Sequence, residues 1–240
     1  MDRAALITGG SSGIGLAIAR MLGEEGYALT VSARRPDKLE AAAQELRDAG
    51  LDAEAVPANM ADEEEIRKLV AAHRESRGRL DVLINNAGIG IGGAVADAET
   101  KKLDLQLNVN LRAVYLLARE TIPMLKEAGA EHGKALMANT ASIAGKHGQG
   151  WLAAYSATKF GVVGLSQALH KELSRDGIQV TAICPGFVAT PMTDWVEGQV
   201  PKDEMIQPED IAEAVRFLLT TSRNCVVPEL QFLRPADSEL

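Results

Sequence analysis

Short apolar runs alternate along this chain with longer segments in which apolar residues return every three or four positions. Ala4-Ala5-Leu6-Ile7-Thr8 is the first run, and beyond a glycine-rich stretch Leu16, Ile18, Ala19 and Leu22 recur at helical spacing. The pattern predicts a strand, a turn and a helix. It then predicts strands over Tyr27 to Val31, Ala53 to Val56 and Leu80 to Ile84, with helices over 37–49 and Asp62 to Arg77 between them. Thr100 to Lys126 reads as one long helix, with Leu103, Leu107, Leu111, Val114, Leu117 and Ala118 on its apolar side and Asn108 and Asn110 interrupting it. Ala135 to Ala138 is a buried strand, Trp151 opens a further helix, and Ile178 to Ile183 is a sixth strand. Pro208-Glu209-Asp210 starts a helix, with proline in the first turn and acids at the positive end. A last strand-like run, Glu229 to Leu233, precedes a polar tail at 234–240 that is expected to fray. Such alternation is the rhythm of an α/β fold, a doubly wound parallel sheet of about seven strands covered on both faces.

At 240 residues the chain suits one such domain, over 1–240, with a sizeable core. A net charge of −8, a pI near 5.1 and the lack of a long Lys/Arg run argue against a grip on nucleic acid or on a membrane surface. Cys184 and Cys225 form neither a metal-ligand spacing nor a disulfide framework, so both are read as inert packing residues in a reducing compartment. No basic leader or spanning segment stands out, which makes the cytoplasm the expected location.

Composition excludes; the motifs select. On a helix, Tyr155 and Lys159 lie one above the other on a single face. Bringing a phenol from its usual pKa near 10 to about 7 takes about 4 kcal/mol of preference for the phenolate, which a nearby cation can supply. Ser142 follows the Ala135 to Ala138 strand, and a loop and returning helix can bring it beside Tyr155. Gly9-Gly10-Ser11-Ser12-Gly13-Ile14-Gly15 lets backbone amides at a helix N-terminus approach a pyrophosphate, although a tight strand-helix turn also needs glycine for its own geometry. About twenty residues after such a turn a carboxylate would select NAD, whereas arginine accommodates a 2′-phosphate. Ala33 stands there with Arg34 and Arg35 after it, which favours NADP(H), solvation of a loop being the ordinary alternative.

Two more strands end at the edge of the sheet where ligands sit. Asn85-Asn86-Ala87-Gly88 closes the fourth, and Pro185-Gly186-Phe187-Val188-Ala189-Thr190 closes the sixth with a threonine hydroxyl in reach of whatever binds. Either run could be a simple turn. Asn108 and Asn110 are buried hydrogen-bonders or part of a site. Residues 89–98 should form a mobile loop beside that edge, and 193–207 have few apolar residues for an ordered lid. Trp151, Met192 and Trp195 are pocket candidates, while Ala157, Gly161, Gly164 and Ala168 form a small-residue stripe read as packing, with a second subunit as one partner.

From Thr8 to about Pro228 the chain resembles the short-chain dehydrogenase/reductase family in its short single-domain branch. The resemblance rests on the glycine motif from Thr8 to Gly15, on Asn85-Asn86-Ala87-Gly88, on Asn110, on Ser142, Tyr155 and Lys159 at the family's spacing, and on Pro185-Gly186 with Val188 and Thr190. It implies a Rossmann-type fold and a catalytic set of Asn110, Ser142, Tyr155 and Lys159. It implies cofactor contacts from Gly9, Ser11, Ser12, Gly13, Ile14, Gly15, Arg34, Arg35, Asn59, Met60, Asn86, Ala87, Gly88, Tyr155, Lys159, Pro185, Gly186, Val188 and Thr190, and no metal. Asn59 replaces the usual adenine-binding Asp, with an amide oxygen that can still accept. The short segment between Met192 and Pro208 implies an open cleft, and Val226-Val227-Pro228-Glu229 replaces a glycine-rich finish that supports the usual tetramer.

The expected activity is hydride transfer between NADP(H) and a carbonyl/alcohol pair, with Tyr155 as acid, Ser142 holding the oxygen, Lys159 lowering the Tyr155 pKa, and Asn110 steadying a water. A 3-oxoacyl-thioester reductase acting on an acyl carrier protein is the nearest alternative, with Lys126, Lys171 and Arg175 as docking candidates. A nucleotide-sensing module without turnover is the alternative from another class. A homodimer or homotetramer through the 100–126 and 151–174 helices is the expected assembly.

Overall fold

The computed structural model describes residues 3–196, 198 and 200–237. Seven strands, β1 (Ala4–Thr8), β2 (Ala28–Ser32), β3 (Ala53–Ala55), β4 (Val82–Asn85), β5 (Ala135–Thr140), β6 (Ile178–Pro185) and β7 (Glu229–Phe232), form one parallel sheet in the order β3-β2-β1-β4-β5-β6-β7. All eight residues of β6 and all five of β1 are buried, as strands covered on both faces must be. Helices α1 (Gly13–Glu24), α2 (Pro36–Asp48) and α7 (Pro208–Thr220) contribute Ile18, Leu22, Leu39, Leu46, Val215 and Leu218 to one core. On the other face α3 (Glu63–Arg77), α5 (Ala113–His132) and α6 (Ala153–Leu173) bring Ile66, Leu69, Leu117, Leu125 and Leu169. Strand order reverses between β1 and β4, opening a crevice at their carboxyl ends.

Local chemistry sets the helix ends. The Asp62 carboxylate accepts the Glu64 and Glu65 amides at 2.8 and 3.2 Å, and Gly78 closes α3 in the left-handed region at φ 70°. Pro208 opens α7, where Asp210 accepts the Gln207 amide at 2.9 Å.

The amino edge carries its own buried polar cluster. Asp81 accepts the Ala4 amide at 2.8 Å and Arg79 through Nε and Nη2 at 2.8 and 2.7 Å. His73, fully buried, places Nδ1 2.8 Å from the Thr30 hydroxyl and Nε2 2.9 Å from the Arg79 carbonyl. Burial pushes its pKa down to about 4.

Several boundaries depart from the sequence reading. The long helix is α4 (Thr100–Leu107), a wide π turn at Asn108–Arg112, and then α5, which runs on to His132 with Pro123 inside it. Trp151 does not open α6, which starts at Ala153; it sits before the helix in the left-handed region, at φ 67°. For a non-glycine residue that conformation costs about 1–3 kcal/mol. Cys184 is buried as expected, but Cys225 is exposed. Parts of the segment after β6 are packed although few apolar residues were expected to order it: Val196, Met205 and Ile206 are buried, and Val188 and Ile206 form a β-bridge. The start of the tail does not fray either, because Arg234 binds Asp237 at 2.8 and 2.6 Å and stands over the Phe187 ring; residues 238–240 lie outside the described ones. In the small-residue stripe Gly161 packs on Leu111 of the same chain, whereas Ala157, Gly164 and Ala168 are exposed.

Candidate active site

At the carboxyl edge the strand ends are tied together before any ligand arrives. The Thr8 hydroxyl accepts the Asn86 and Ala87 amides, both at 3.1 Å, and the Asn86 side chain donates to the Thr8 and Gly9 carbonyls at 3.3 and 3.4 Å. Thr140 closes the set by donating to Asn86 Oδ1 at 3.2 Å. Asn86 thus binds β1, β4 and β5 at the crevice, and its amide is committed to the protein.

The loop after β5 carries Ser142 and presses on α6 at Gly145, where a Cβ would come within 2.6 Å of the Lys159 carbonyl. That close approach brings Ser142 to the face of α6 carrying Tyr155 and Lys159. Ser142 Oγ accepts the Ala144 amide at 3.1 Å and donates to the Pro185 carbonyl at 3.4 Å. Burial holds the Tyr155 phenol above its ordinary range, with the Ser142 hydroxyl pulling the other way. Lys159, 4% exposed, donates to the Thr140 carbonyl at 2.8 Å and lies 5.6 Å from the Tyr155 ring centroid; desolvation brings it down to about 8. The expected depression of Tyr155 by Lys159 does not show in this arrangement: loss of water outweighs the pull of the Ser142 hydroxyl, and the ammonium is directed at the Thr140 carbonyl.

Asn110 sits in the π turn, a widening that redirects a side chain and recurs at functional sites. Its Oδ1 accepts the Ile89 amide at 2.8 Å, while Nδ2 donates to the Ile89 carbonyl at 2.9 Å and to the Thr158 hydroxyl at 3.1 Å. The side chain holds the 89–98 loop at its root, and Gln106 fixes the Ile91 amide at 3.0 Å.

A cleft of about 680 Å³ runs past these groups, lined by Gly9, Ser11, Ser12, Gly13 and Ile14 at one end and by Tyr155, Lys159, Pro185, Gly186, Val188 and Thr190 further along. Asn86, Ala87, Gly88, Ser142, Trp151, Met192 and Trp195 line it too. The glycine end suits a pyrophosphate. Gly9 and Gly13 have φ of 67° and 53°, no side chain caps the first turn of α1, and no acid lies in that turn. A Cβ at Gly13 would come within 2.8 Å of Thr190, so any larger residue would narrow the passage between the two turns.

Other expected contacts stand outside the lining. Gly15 lies behind the turn, where a Cβ would be 2.3 Å from the Gly9 carbonyl oxygen. The Gly10 amide reaches the Ser32 carbonyl at 3.0 Å, and the Ala58 amide reaches the Ala33 carbonyl at 3.1 Å, which sets the ends of β2 and β3 beside the glycine turn. Arg34 and Arg35 are exposed there, and among the described residues neither guanidinium group has a hydrogen-bond or ion-pair partner. Asn59 Oδ1 accepts the Ala61 amide at 3.1 Å, and the Met60 side chain belongs to the core. Asp237 at the cleft wall was missed by sequence reasoning; the Arg-x-x-Asp spacing with Arg234 was the available signal. Thr158, beneath Asn110, carried none.

Comparison with known proteins adds to this geometry. The family model described as "short chain dehydrogenase" matches residues 3–200. A protein of Streptomyces coelicolor named "Putative ketoacyl reductase" is 42% identical over 236 residues, covering 90% of this chain and 89% of its own length. A variant of the actinorhodin polyketide ketoreductase, solved with NADPH, superposes with a TM-score of 0.88 at 36% identity over 96% of this chain and 95% of that one. The 3-ketoacyl-(acyl-carrier-protein) reductase of Brucella melitensis, solved with NADH, gives 0.86 at 33% identity over 95% of this chain and 96% of that one.

Proposed function

The chain belongs to the short chain dehydrogenase family, and from that premise we propose that it is an NADP(H)-dependent oxidoreductase interconverting a carbonyl compound and its secondary alcohol. The observation that carries the reading is a half-buried phenol, with Ser142 beside it and Lys159 close by, in the cleft that leads to the uncapped N-terminus of α1. Bound at the glycine turn, the cofactor supplies or accepts the hydride. Tyr155, held above the usual phenol range, is protonated at neutral pH and gives its proton to the carbonyl oxygen as charge develops there. Ser142 donates a second hydrogen bond to that oxygen. Lys159, with a pKa of about 8, is mainly cationic at pH 7 and holds the ribose hydroxyls. A neutral phenol favours the reductive direction, and Asn110, with its side chain committed to Ile89, contributes by fixing the loop across the cleft.

NADP(H) is favoured over NAD(H) by the two unpartnered guanidinium groups at the end of β2, and the NADPH-bound neighbour is consistent with that. A 3-oxoacyl thioester as the carbonyl compound is supported by the names of the relatives. The expected docking residues do not serve it. Lys126 pairs with Asp176 at 2.9 Å, and Lys171 and Arg175 immediately precede β6, which puts them at the amino edge, away from the cleft. Exposed Leu103, Leu107, Tyr115 and Phe160 on α4, α5 and α6 support a homo-oligomer through those helices. Among the described residues no helix is long and apolar enough to cross a membrane.

The test is Tyr155→Phe, expected to lower turnover of ketones by about 10²–10⁴-fold while the Kd for NADPH stays within about threefold. Retained turnover removes Tyr155 from the acid role. Arg34→Asp is expected to raise the kcat/KM ratio of NADH to NADPH by about tenfold or more, since one charge-assisted hydrogen bond is lost and a repulsion gained.

A further inference from the structure

Two indoles stand at the mouth of the cleft with no core to explain them. Trp151 is 59% exposed and Trp195 56%, yet their ring centroids lie 5.8 Å apart at an interplanar angle of 44°. They come from different walls, Trp151 from the loop before α6 and Trp195 from the 3₁₀ turn at Pro191–Val196 after β6. Among the described residues Trp151 is the only non-glycine residue at positive φ, and its carbonyl accepts the Gly93 amide at 2.8 Å. Its ring lies so close over Gly92 that a Cβ there would come within 2.1 Å of it. A left-handed backbone, a held carbonyl and a glycine floor thus fix a side chain that burial does not require, whereas a tryptophan that only filled space would be mostly covered.

The remaining wall decides what such a pair could meet. Ile91, Ile143, Leu152, Phe187 and Met192 make it apolar. Among the described residues its ionisable groups are Tyr155, Lys159 and Asp237, of which Lys159 is held by Thr140 and Asp237 by Arg234. Among the described residues of the wall, no unpartnered cation awaits an anionic substrate.

We propose that Trp151 and Trp195 form an aromatic clamp, and that the substrate is an uncharged carbonyl compound bearing a planar aromatic ring. The ring stacks on the indoles while the carbonyl oxygen reaches Tyr155 and Ser142. The carbonyl half of this inference rests on the hydride-transfer reading above; the ring half rests on the indole pair. Aromatic rings attract one another at centroid separations of about 4.5–7 Å in offset or tilted arrangements, and the pair already presents that geometry.

The test compares 2-acetylnaphthalene with its saturated counterpart, 2-acetyldecahydronaphthalene. Turnover is followed with NADPH. Binding is followed in the NADP⁺ complex by tryptophan emission, corrected for ligand absorbance; the chain has two tryptophans, so the signal comes from the clamp alone. Conjugation makes the aromatic ketone the less electrophilic of the two, so a preference for it comes from binding. Expected are a kcat/KM at least about tenfold higher for the aromatic ketone, saturable quenching by it, and a ratio falling toward one in Trp151→Leu and Trp195→Leu variants that still bind NADPH. Equal use of both ketones by the wild type, or an unchanged ratio in both variants, overturns the clamp and leaves hydride transfer standing. Saturable quenching without turnover of either ketone supports the clamp and sinks hydride transfer. No turnover and no change in emission overturns both.

Discussion

Polar groups are buried at both edges of the sheet, and the two sets are completed differently. At the amino edge Asp81 is met by two guanidinium nitrogens and a backbone amide, and both nitrogens of His73 are engaged. At the carboxyl edge Lys159 has the Thr140 carbonyl as its acceptor, and Tyr155 faces a cleft beside Ser142. A completed network fixes the fold, because every lost hydration bond is replaced. An incomplete one leaves valences for a ligand and carries a stability penalty until the ligand comes. The two edges should therefore answer substitution with opposite signs.

The largest effect is expected from Asp81→Ala. It leaves the Arg79 guanidinium in the interior without its main partner and strips the Ala4 amide, a loss of about 3–5 kcal/mol. Urea unfolding at pH 7 measures it, with NADPH affinity of the folded fraction little changed. A loss under about 1 kcal/mol would mean that this edge is as loosely completed as the other.

Acid gives a smaller effect at the same edge. His73 has its folded pKa lowered to about 4 from 6.5, so the folded state favours the neutral ring and the unfolded chain binds the extra proton first. Its contribution is present above pH 6.5 and is lost as pH falls toward 4. Between pH 7 and pH 5 the loss is about 2 kcal/mol, measured as the part of the fall in urea-derived stability that a His73→Gln variant does not share.

Legibility in the sequence followed the same division. Periodicity revealed the alternating elements because each helix faces one side of the sheet and each strand both, and the four-residue step from Tyr155 to Lys159 was sufficient to put them on one face. What stayed hidden depends on contacts across the chain. The π turn at Asn108–Arg112 leaves the spacing of Leu107, Leu111 and Val114 looking helical throughout. Val196, Met205 and Ile206 are buried yet show no period, and Ile206 is held by backbone hydrogen bonds with Phe187 and Ala189 from across the chain. The left-handed turn at Trp151 falls on a residue type that does not announce it, and the room for its ring comes from Gly92, in another loop. Lys171 and Arg175 looked like neighbours of the cleft in a linear reading, but in a parallel sheet residues just before a strand lie at the opposite edge.

The smallest effect is the sharpest test, because its sign is reversed. Lys159 has its pKa brought from 10.5 to about 8 by burial, so at pH 7 the fold carries the charged form at a cost of about 3 kcal/mol. Lys159→Met removes the charge, keeps an unbranched side chain one atom shorter, and gives up the bond to the Thr140 carbonyl, worth about 1 kcal/mol. The variant should be more stable than the wild type by about 1–2 kcal/mol at pH 7 while losing ketone turnover. Between pH 8 and 10.5 the unfolded wild type binds the proton that the folded state releases, so wild-type stability rises with pH relative to the variant and the gap closes. A variant less stable than the wild type at pH 7 would show that Lys159 completes the fold as Asp81 does, and the contrast between the edges would fail.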